Sequence, residues 1–528
     1  MTSSAAKSVK RTTTNEAANE SGSNSNSIDT IKKIKDRISN ELVIGLCGAI
    51  GSGIEDLCDK LQEELESINY IVKVIKISSL ITKESGNAVP EGCTASARIT
   101  FLQQEGNLLR KEEGQDYLGK LAIRKISTLR SSIINEDGTL EINDDPNNND
   151  QVENKTKKRV AYIINQLKHP DEVRLLRTVY PKNFYLISLI RTEKERRLAL
   201  DKRRFQPADI DEAIRIDRKE KDSWGQQVEK TSSLADYFMR NQHSHSASLS
   251  EEVRRFCKLV HGSHGMSPRR DERGMSAAYF ASLQSACLSR QVGAAITDDD
   301  GSVISTGCND VPAYGGGLYK DKGRSSRATD FRCIYKEEIC FNDFYKSRLK
   351  DEIGQLLQDK EIPKEKADDL AQEILKNTKA ADLIEYSRAI HAEMDAITNL
   401  ARSSNHTSSN KTIYCTTYPC HNCARHIVAA GLNKVVYIEP YEKSLALQLH
   451  SDAITDAEEN NKVSFQPYEG VSPSRYNAFF KMSGKRKDEN GRAISINIIQ
   501  ATHVDPQYLD PYHAYEDQII GDLEDTPS

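Results

Sequence analysis

His391-Ala392-Glu393 and Pro419-Cys420-His421-Asn422-Cys423 decide how this chain is read. One imidazole and two thiolates offer a Zn2+ ion three ligands, and the two thiolate charges balance the charge of the ion. Structural zinc sites close with a fourth protein ligand, whereas catalytic ones keep that position open. Cys415 and His421 are the neighbours that would close it, and neither explains a carboxylate two residues after the histidine. Glu393 points instead to proton transfer beside a metal that makes hydroxide available near neutral pH.

The residues around these motifs set them on helices. His391 heads a predicted helix with Met394, Ile397 and Leu400 on its buried face. Lys411–Thr417 reads as a strand, and Pro419 opens a second helix that Gly431 ends. Helix N-termini favour anions, so both ligand groups sit where thiolates are stabilised. Upstream, Gly274–Leu288 is predicted helical. Val292–Thr297 and Ser302–Thr306 flank the turn Asp298-Asp299-Asp300-Gly301 as a hairpin, which runs into Gly307-Cys308-Asn309-Asp310-Val311-Pro312. A long insertion, about Gly315 to Asp382, carries Cys333 and Cys340, read either as free thiols or as part of a second, structural zinc site. Lys434–Ile438 is one more strand.

The first half opens differently. Leu42-Val43-Ile44-Gly45-Leu46 reads as a buried strand, Gly48-Ala49-Ile50-Gly51-Ser52-Gly53 as a glycine loop, and Ile54, Leu57, Leu61 and Leu65 recur at helical spacing. Strand, glycine loop and helix together make a phosphate cradle of backbone N–H groups. The Walker A pattern needs Lys and Ser or Thr after its second glycine. Here Ile54 and Glu55 stand there, so the phosphate-reaching cation and the Mg2+-ligating hydroxyl are absent. Three readings stay open: a degenerate P-loop domain that holds a regulatory nucleotide or only the fold, a P-loop enzyme whose cation comes from elsewhere, or a turn of another α/β fold.

Tyr70–Ile77, Arg159–Ile164 and Phe184–Ile190 continue the first half as strands, and Glu105–Arg130 as an amphipathic helix. Asn135–Lys158 is a polar loop. Arg191–Arg197, with Arg203 and Arg204, forms either a solvated helix face or a cationic cover for phosphates. His243-Ser244-His245 marks a linker. His261 and His264 are read as linker or surface residues. The expected division is a tail at 1–40, a P-loop NTPase- or kinase-like parallel-sheet domain at 41–240, a linker at 241–268, a metal-binding α/β/α domain at 269–500 and a tail at 501–528.

Composition limits the function classes. The chain has 528 residues and a net charge of −5, which disfavours a protein built mainly to hold nucleic acid. Eleven cysteines, an odd number scattered along the chain, suit a reducing cytoplasm rather than a disulfide framework. No apolar run reaches the roughly 18 residues of a membrane span, and the Ser- and Asn-rich start reads as a disordered tail rather than a secretory signal.

The H-x-E…P-C-x-x-C pattern is the signature of zinc-dependent nucleobase and nucleoside deaminases. From about Ser289 to Tyr476 the chain resembles deoxycytidylate (dCMP) deaminases. The matching stretches are Ser289-Arg290-Gln291-Val292-Gly293-Ala294-Ala295-Ile296, Gly307-Cys308-Asn309-Asp310-Val311-Pro312, His391-Ala392-Glu393 and Thr416-Thr417-Tyr418-Pro419-Cys420-His421-Asn422-Cys423-Ala424. The resemblance implies a cytidine-deaminase-like fold, one Zn2+ on His391, Cys420 and Cys423, Glu393 as proton carrier, and substrate contacts at Asn309, Ala392 and Thr417, Asn309 meeting the sugar. Asp310 stands where the family usually has glycine. A degenerate P-loop domain ahead of such a domain is similar to the bacterial anti-phage dCTP deaminases, over residues 45 to 505. That narrower likeness implies deamination of dCTP and dCMP, depletion of cytosine nucleotides during infection, a homo-oligomer, and restraint in uninfected cells, in some relatives by a small RNA.

Overall fold

The computed structural model describes residues 37–136, 158–218, 223–241, 246–321, 329–403, 405–441, 444–457, 459, 461–482, 484–504 and 506–509. Most of the two expected tails, most of the polar loop at 135–158, and His243–His245 lie outside these residues. The chain divides into a large unit, Asn40–Asp505, and a small one made from its two ends, in which Ile38 bridges Tyr508. Among the described residues no helix is long and apolar enough to cross a membrane.

The large unit holds two six-stranded sheets. In the first, β1 (Glu41–Gly48) lies at the centre, between β3 (Val160–Asn165) and β4 (Phe184–Ile190), all parallel. Its almost unbroken apolar run is what a strand covered on both faces requires. β2 (Ile71–Lys76) joins outside β3, and β5 (Tyr237–Arg240) joins outside β4, again parallel. The Ile54–Ser67 helix makes the crossover from β1 to β2, burying Ile54, Leu57, Leu61 and Leu65. The helix expected at 105–130 is two helices, Ala95–Glu113 and Tyr117–Glu136. Gly114 separates them at φ 113°, a value that a side chain would resist.

The second sheet runs β10 (Ile454–Thr455), β11 (Val463–Pro467), β9 (Lys434–Glu439), β8 (Thr412–Thr417), β6 (Gly293–Thr297), β7 (Val303–Cys308). The β6–β7 hairpin is antiparallel, and β8, β9 and β11 are parallel. Side chains of β6 alternate between two cores. Ala294 and Ile296 pack with the Ala392–Arg402 and His421–Ala429 helices, while Ala295 packs with the Arg270–Ser282 helix on the other face.

The segment expected as a linker is structured. Ser246–Val260 is a helix whose Leu249, Val253, Phe256, Cys257 and Val260 share one core with β1, β4 and β5. His261 is 2% exposed, not a surface residue, and its ring bonds Tyr70 Oη and the Cys257 carbonyl. The chain also returns: β12 (Gly470–Val471) adds antiparallel to β5 at the edge of the first sheet. Glu272 anchors this return, accepting from the Val471 N–H (2.9 Å) and pairing with both terminal nitrogens of Arg255 (2.8 Å each). One apolar core takes in Phe238 of the first sheet together with Tyr414 and Val436 of the second.

Candidate metal centre and active site

Two helix N-termini meet beyond the C-terminal end of β8, an interior strand of the second sheet. His391 is the N-cap of the Ala392–Arg402 helix, and Cys420 is the N-cap of the His421–Ala429 helix. The strand β8 between them brings the caps together. His391 Nδ1 lies 3.5 Å from Cys420 Sγ and 3.3 Å from Cys423 Sγ. Among the described residues this is the one group of three or more His, Cys, Asp or Glu donors close enough to share an ion, their atoms all within 4.8 Å of one another. Cys415 and His421, the alternatives for a fourth ligand, lie outside it.

The donor set fits zinc. Cys423 donates its thiol hydrogen bond toward Cys420, which pulls Cys420 down to about 4, with the His391 imidazole adding to the effect. The same bond pushes Cys423 well above the usual thiol value. The two sulfurs therefore compete for one proton, and a divalent cation binds such a pair as that proton leaves. Glu393 is 4% exposed, and burial raises its carboxyl above the ordinary range. It lies 3.5 Å from Cys423 Sγ. A proton-carrying carboxyl next to the cluster can serve water and a substrate nitrogen in turn.

The helix that carries Glu393 is laced to β7. Ser305 Oγ donates to the Ala396 carbonyl (2.7 Å), Asn399 Nδ2 donates to the Thr306 carbonyl (2.9 Å), and the Cys308 N–H donates to Asp395 (3.1 Å). Contact is this close because residue 307 is glycine. A Cβ there would stand 2.3 Å from Ala396 N and 2.4 Å from the Ala392 carbonyl oxygen.

A cavity of about 200 Å3 opens over the cluster, lined by His391, Ala392, Glu393, Cys420, Asn309 and Thr417 among others. All the residues expected in the metal and substrate site except Cys423 thus line one cavity, and Cys423 Sγ joins them through His391 Nδ1, 3.3 Å away. Asn309 bridges the wall: its Oδ1 accepts from the Val292 N–H and its Nδ2 donates to the Arg290 carbonyl, both at 2.7 Å. Thr417 Oγ1 accepts from Arg290 (3.1 Å). Asp310, where glycine was usual, turns its carboxylate away to the Ala286 and Val311 N–H groups. The insertion supplies part of the wall through Cys333, Cys340 and Phe341, and Arg388 stands beside them. Arg388 lies over the Phe341 ring, 5.2 Å from its centroid, and has no carboxylate partner among the described residues. No spacing rule pointed to Arg388. Its position three residues before His391 was the available signal.

The glycine loop Gly48–Gly53 lies at the end of β1 and lines a separate cavity. Gly51 and Gly53 adopt φ 82° and 89°, the left-handed turn that a phosphate cradle uses. Ile54, where the pattern has lysine, is buried at 1% exposure. Lys168, after β3, brings an ammonium to the loop instead, donating to the Gly48 carbonyl (3.3 Å). Arg191 holds the loop by the Gly51 carbonyl (3.0 Å), and Arg203 lines the same cavity.

Residues 268–439 match the family model described as the cytidine and deoxycytidylate deaminase zinc-binding region. The deoxycytidylate deaminase of Enterobacteria phage T2 is 31% identical over 167 residues, 32% of this chain and 78% of the phage protein. That of Enterobacteria phage T4 is 31% identical over 168 residues, 32% and 76%. Two solved structures align at lower similarity. The dCMP deaminase from cyanophage S-TIM5 has 18% identity and a TM-score of 0.21, over 38% of this chain and all of that one. Shikimate kinase from Acinetobacter baumannii has 12% identity and a TM-score of 0.23, over 42% and 96%. Those scores are too low to establish a shared fold. The two phage enzymes match across most of their own length, and the chain belongs to the deoxycytidylate deaminase family and is a deaminase.

Proposed function

We propose that the protein hydrolyses the exocyclic amine of deoxycytidine nucleotides, dCTP as well as dCMP, giving the uracil nucleotide and ammonia. The observation that carries this reading is Glu393, buried against the His391, Cys420 and Cys423 cluster at the floor of a cavity that also holds Arg388. Zn2+ held by those three residues would supply hydroxide at neutral pH. Glu393 takes the proton of the attacking water and delivers it to ring N3, then passes a proton to the departing amine. Asn309 and the backbone around Ala392 hold the nucleoside, with Thr417 at the wall. Arg388, without a competing carboxylate, meets the phosphate by charge-assisted hydrogen bonds.

The first half acts as a regulatory nucleotide-responsive domain, and the output depletes the cytosine nucleotide pool in defence against phage. This part rests on the likeness of the domain order to anti-phage dCTP deaminases, which also supports a homo-oligomer and restraint by a small RNA. Zinc-loaded protein given dCTP, dCMP, CTP and a cytosine-containing oligonucleotide, with products followed by mass spectrometry, tests the chemistry. Uracil products from dCTP and dCMP are expected. Product from the oligonucleotide alone overturns the free-nucleotide reading.

A further inference from the structure

The cavity beside the glycine loop, about 390 Å3, shares no lining residue with the catalytic one. Its floor is the loop, and its other walls include the Ile77–Ser85 and Ala95–Glu113 helices. Two of the loop amides are already engaged, the Ser52 N–H by the Ala49 carbonyl (3.0 Å) and the Ile50 N–H by a carboxylate. The Ile50 N–H donates to Asp217 Oδ2 (2.7 Å), and the other Asp217 oxygen pairs with Lys168 Nζ. Asp217 is 1% exposed. A carboxylate of the chain itself thus stands where loop and ammonium would meet a phosphate, and it repels a second anion there.

The rest of the cavity has a different character. Four carboxamides line it: Gln103, Asn165, Gln166 and Gln226. Gln103 and Gln226 are both 5% exposed, and among the described residues the Oε1 atom of each has no hydrogen-bond partner, nor has Ser52 Oγ in the loop. Leaving such an atom unsatisfied costs about 1–3 kcal/mol. Gln166 adopts φ 82°, a left-handed conformation that costs a non-glycine residue about 1–3 kcal/mol and clusters at ligand sites. Ile81, Ile99 and Leu102 add an apolar surface, and the exposed residues Arg98 and Arg203 line the cavity together with Lys76, Arg110 and Glu55.

We propose that this cavity, rather than the glycine loop, binds a nucleoside monophosphate: the base lies on Ile81, Ile99 and Leu102, Gln103 and Gln226 read its polar edge, and Arg98 and Arg203 hold the phosphate. Carboxamides carry both donor and acceptor, as base edges do. Asp217 keeps the loop closed to a triphosphate tail. The inference deepens the regulatory reading of the first half and rests on it in taking the ligand to be a nucleotide.

Calorimetric titration of the full zinc-loaded chain with AMP, GMP, TMP and the matching triphosphates tests it. Cytosine nucleotides are left out, so the deaminase site is not probed, and binding is read without turnover. At least one monophosphate is expected to bind at one site per chain, with its triphosphate binding no tighter. Gln103→Leu and Gln226→Leu are each expected to weaken it roughly tenfold, while dCMP turnover without added ligand stays unchanged. The absence of monophosphate binding, binding that ignores both substitutions, or a triphosphate that binds more tightly overturns the proposal. Loss of turnover in every sample would instead count against the deaminase reading.

Discussion

The Glu393 carboxylate lies 3.5 Å from Cys423 Sγ, although the two residues belong to different helices on either side of β8. The residues proposed as metal ligands and proton carrier are thereby held on two helix N-termini. The carboxyl lies outside the group of donors close enough to share an ion and borders it from the first turn of the helix that His391 caps.

Glu393→Gln keeps the size of the side chain and removes its titration. Deamination is expected to fall by about 10^2- to 10^4-fold. Zinc content by atomic emission and the melting temperature should stay close to those of the parent. Turnover within tenfold of the parent would show that another group carries the proton.

Arg388→Gln removes a guanidinium of the catalytic cavity that bonds Cys333 Sγ (3.9 Å) and has no carboxylate partner among the described residues. KM for dCMP is expected to rise roughly tenfold or more, with kcat changed little, because a uniform binding contact is lost. KM for deoxycytidine, which has no phosphate, should not move. An equal effect on both substrates would assign Arg388 to the wall alone.

Gly307→Ala would set a methyl group against backbone atoms on the Ala392–Arg402 helix, 2.3 Å from Ala396 N. The helix must shift, which is expected to remove about 1–3 kcal/mol of stability. The shift also moves His391 and Glu393, so zinc content and activity should fall together. Denaturant melts and zinc stoichiometry of the same sample check this.

His261 predicts an acid-sensitive first half. Burial lowers its pKa from 6.5 to about 4, and the neutral ring donates from Nδ1 to the Cys257 carbonyl and accepts at Nε2 from Tyr70 Oη. The folded state therefore resists a proton that the unfolded chain accepts below about pH 6.5. Stability from this residue is complete above that pH and is lost as the pH falls toward 4, on the order of 2–3 kcal/mol. Urea melts at several pH values should show a shallower decline for His261→Gln than for the parent. Parallel declines would remove His261 as the cause.

Some of the molecule was legible because its signal is local. The run Leu42–Leu46 marks a strand covered on both faces, and the pair Asp300-Gly301 marks the hairpin turn between β6 and β7. The H-x-E and C-x-x-C spacings place their ligands at helix N-termini without reference to anything distant. The Ser246–Val260 helix also had its pattern, with Leu249, Val253, Phe256 and Val260 at helical intervals, but the serines and histidines just before it read as a linker. β5 has four residues and β12 two, too few to show the alternation of a strand.

By itself the sequence determined the chemistry. An imidazole, two thiols and a carboxyl at these intervals have few other uses, and the helices that carry them form from periodicity within about a dozen residues. Tertiary structure alone decided what surrounds that chemistry. Cys333 and Phe341 come to the catalytic cavity because the insertion folds back over it. Asp217 and Lys168 meet at the glycine loop from segments far apart in the chain, and β12 returns to the first sheet long after that sheet was built. Such contacts depend on chain reversals and on burial shared between distant segments, and no local pattern records either.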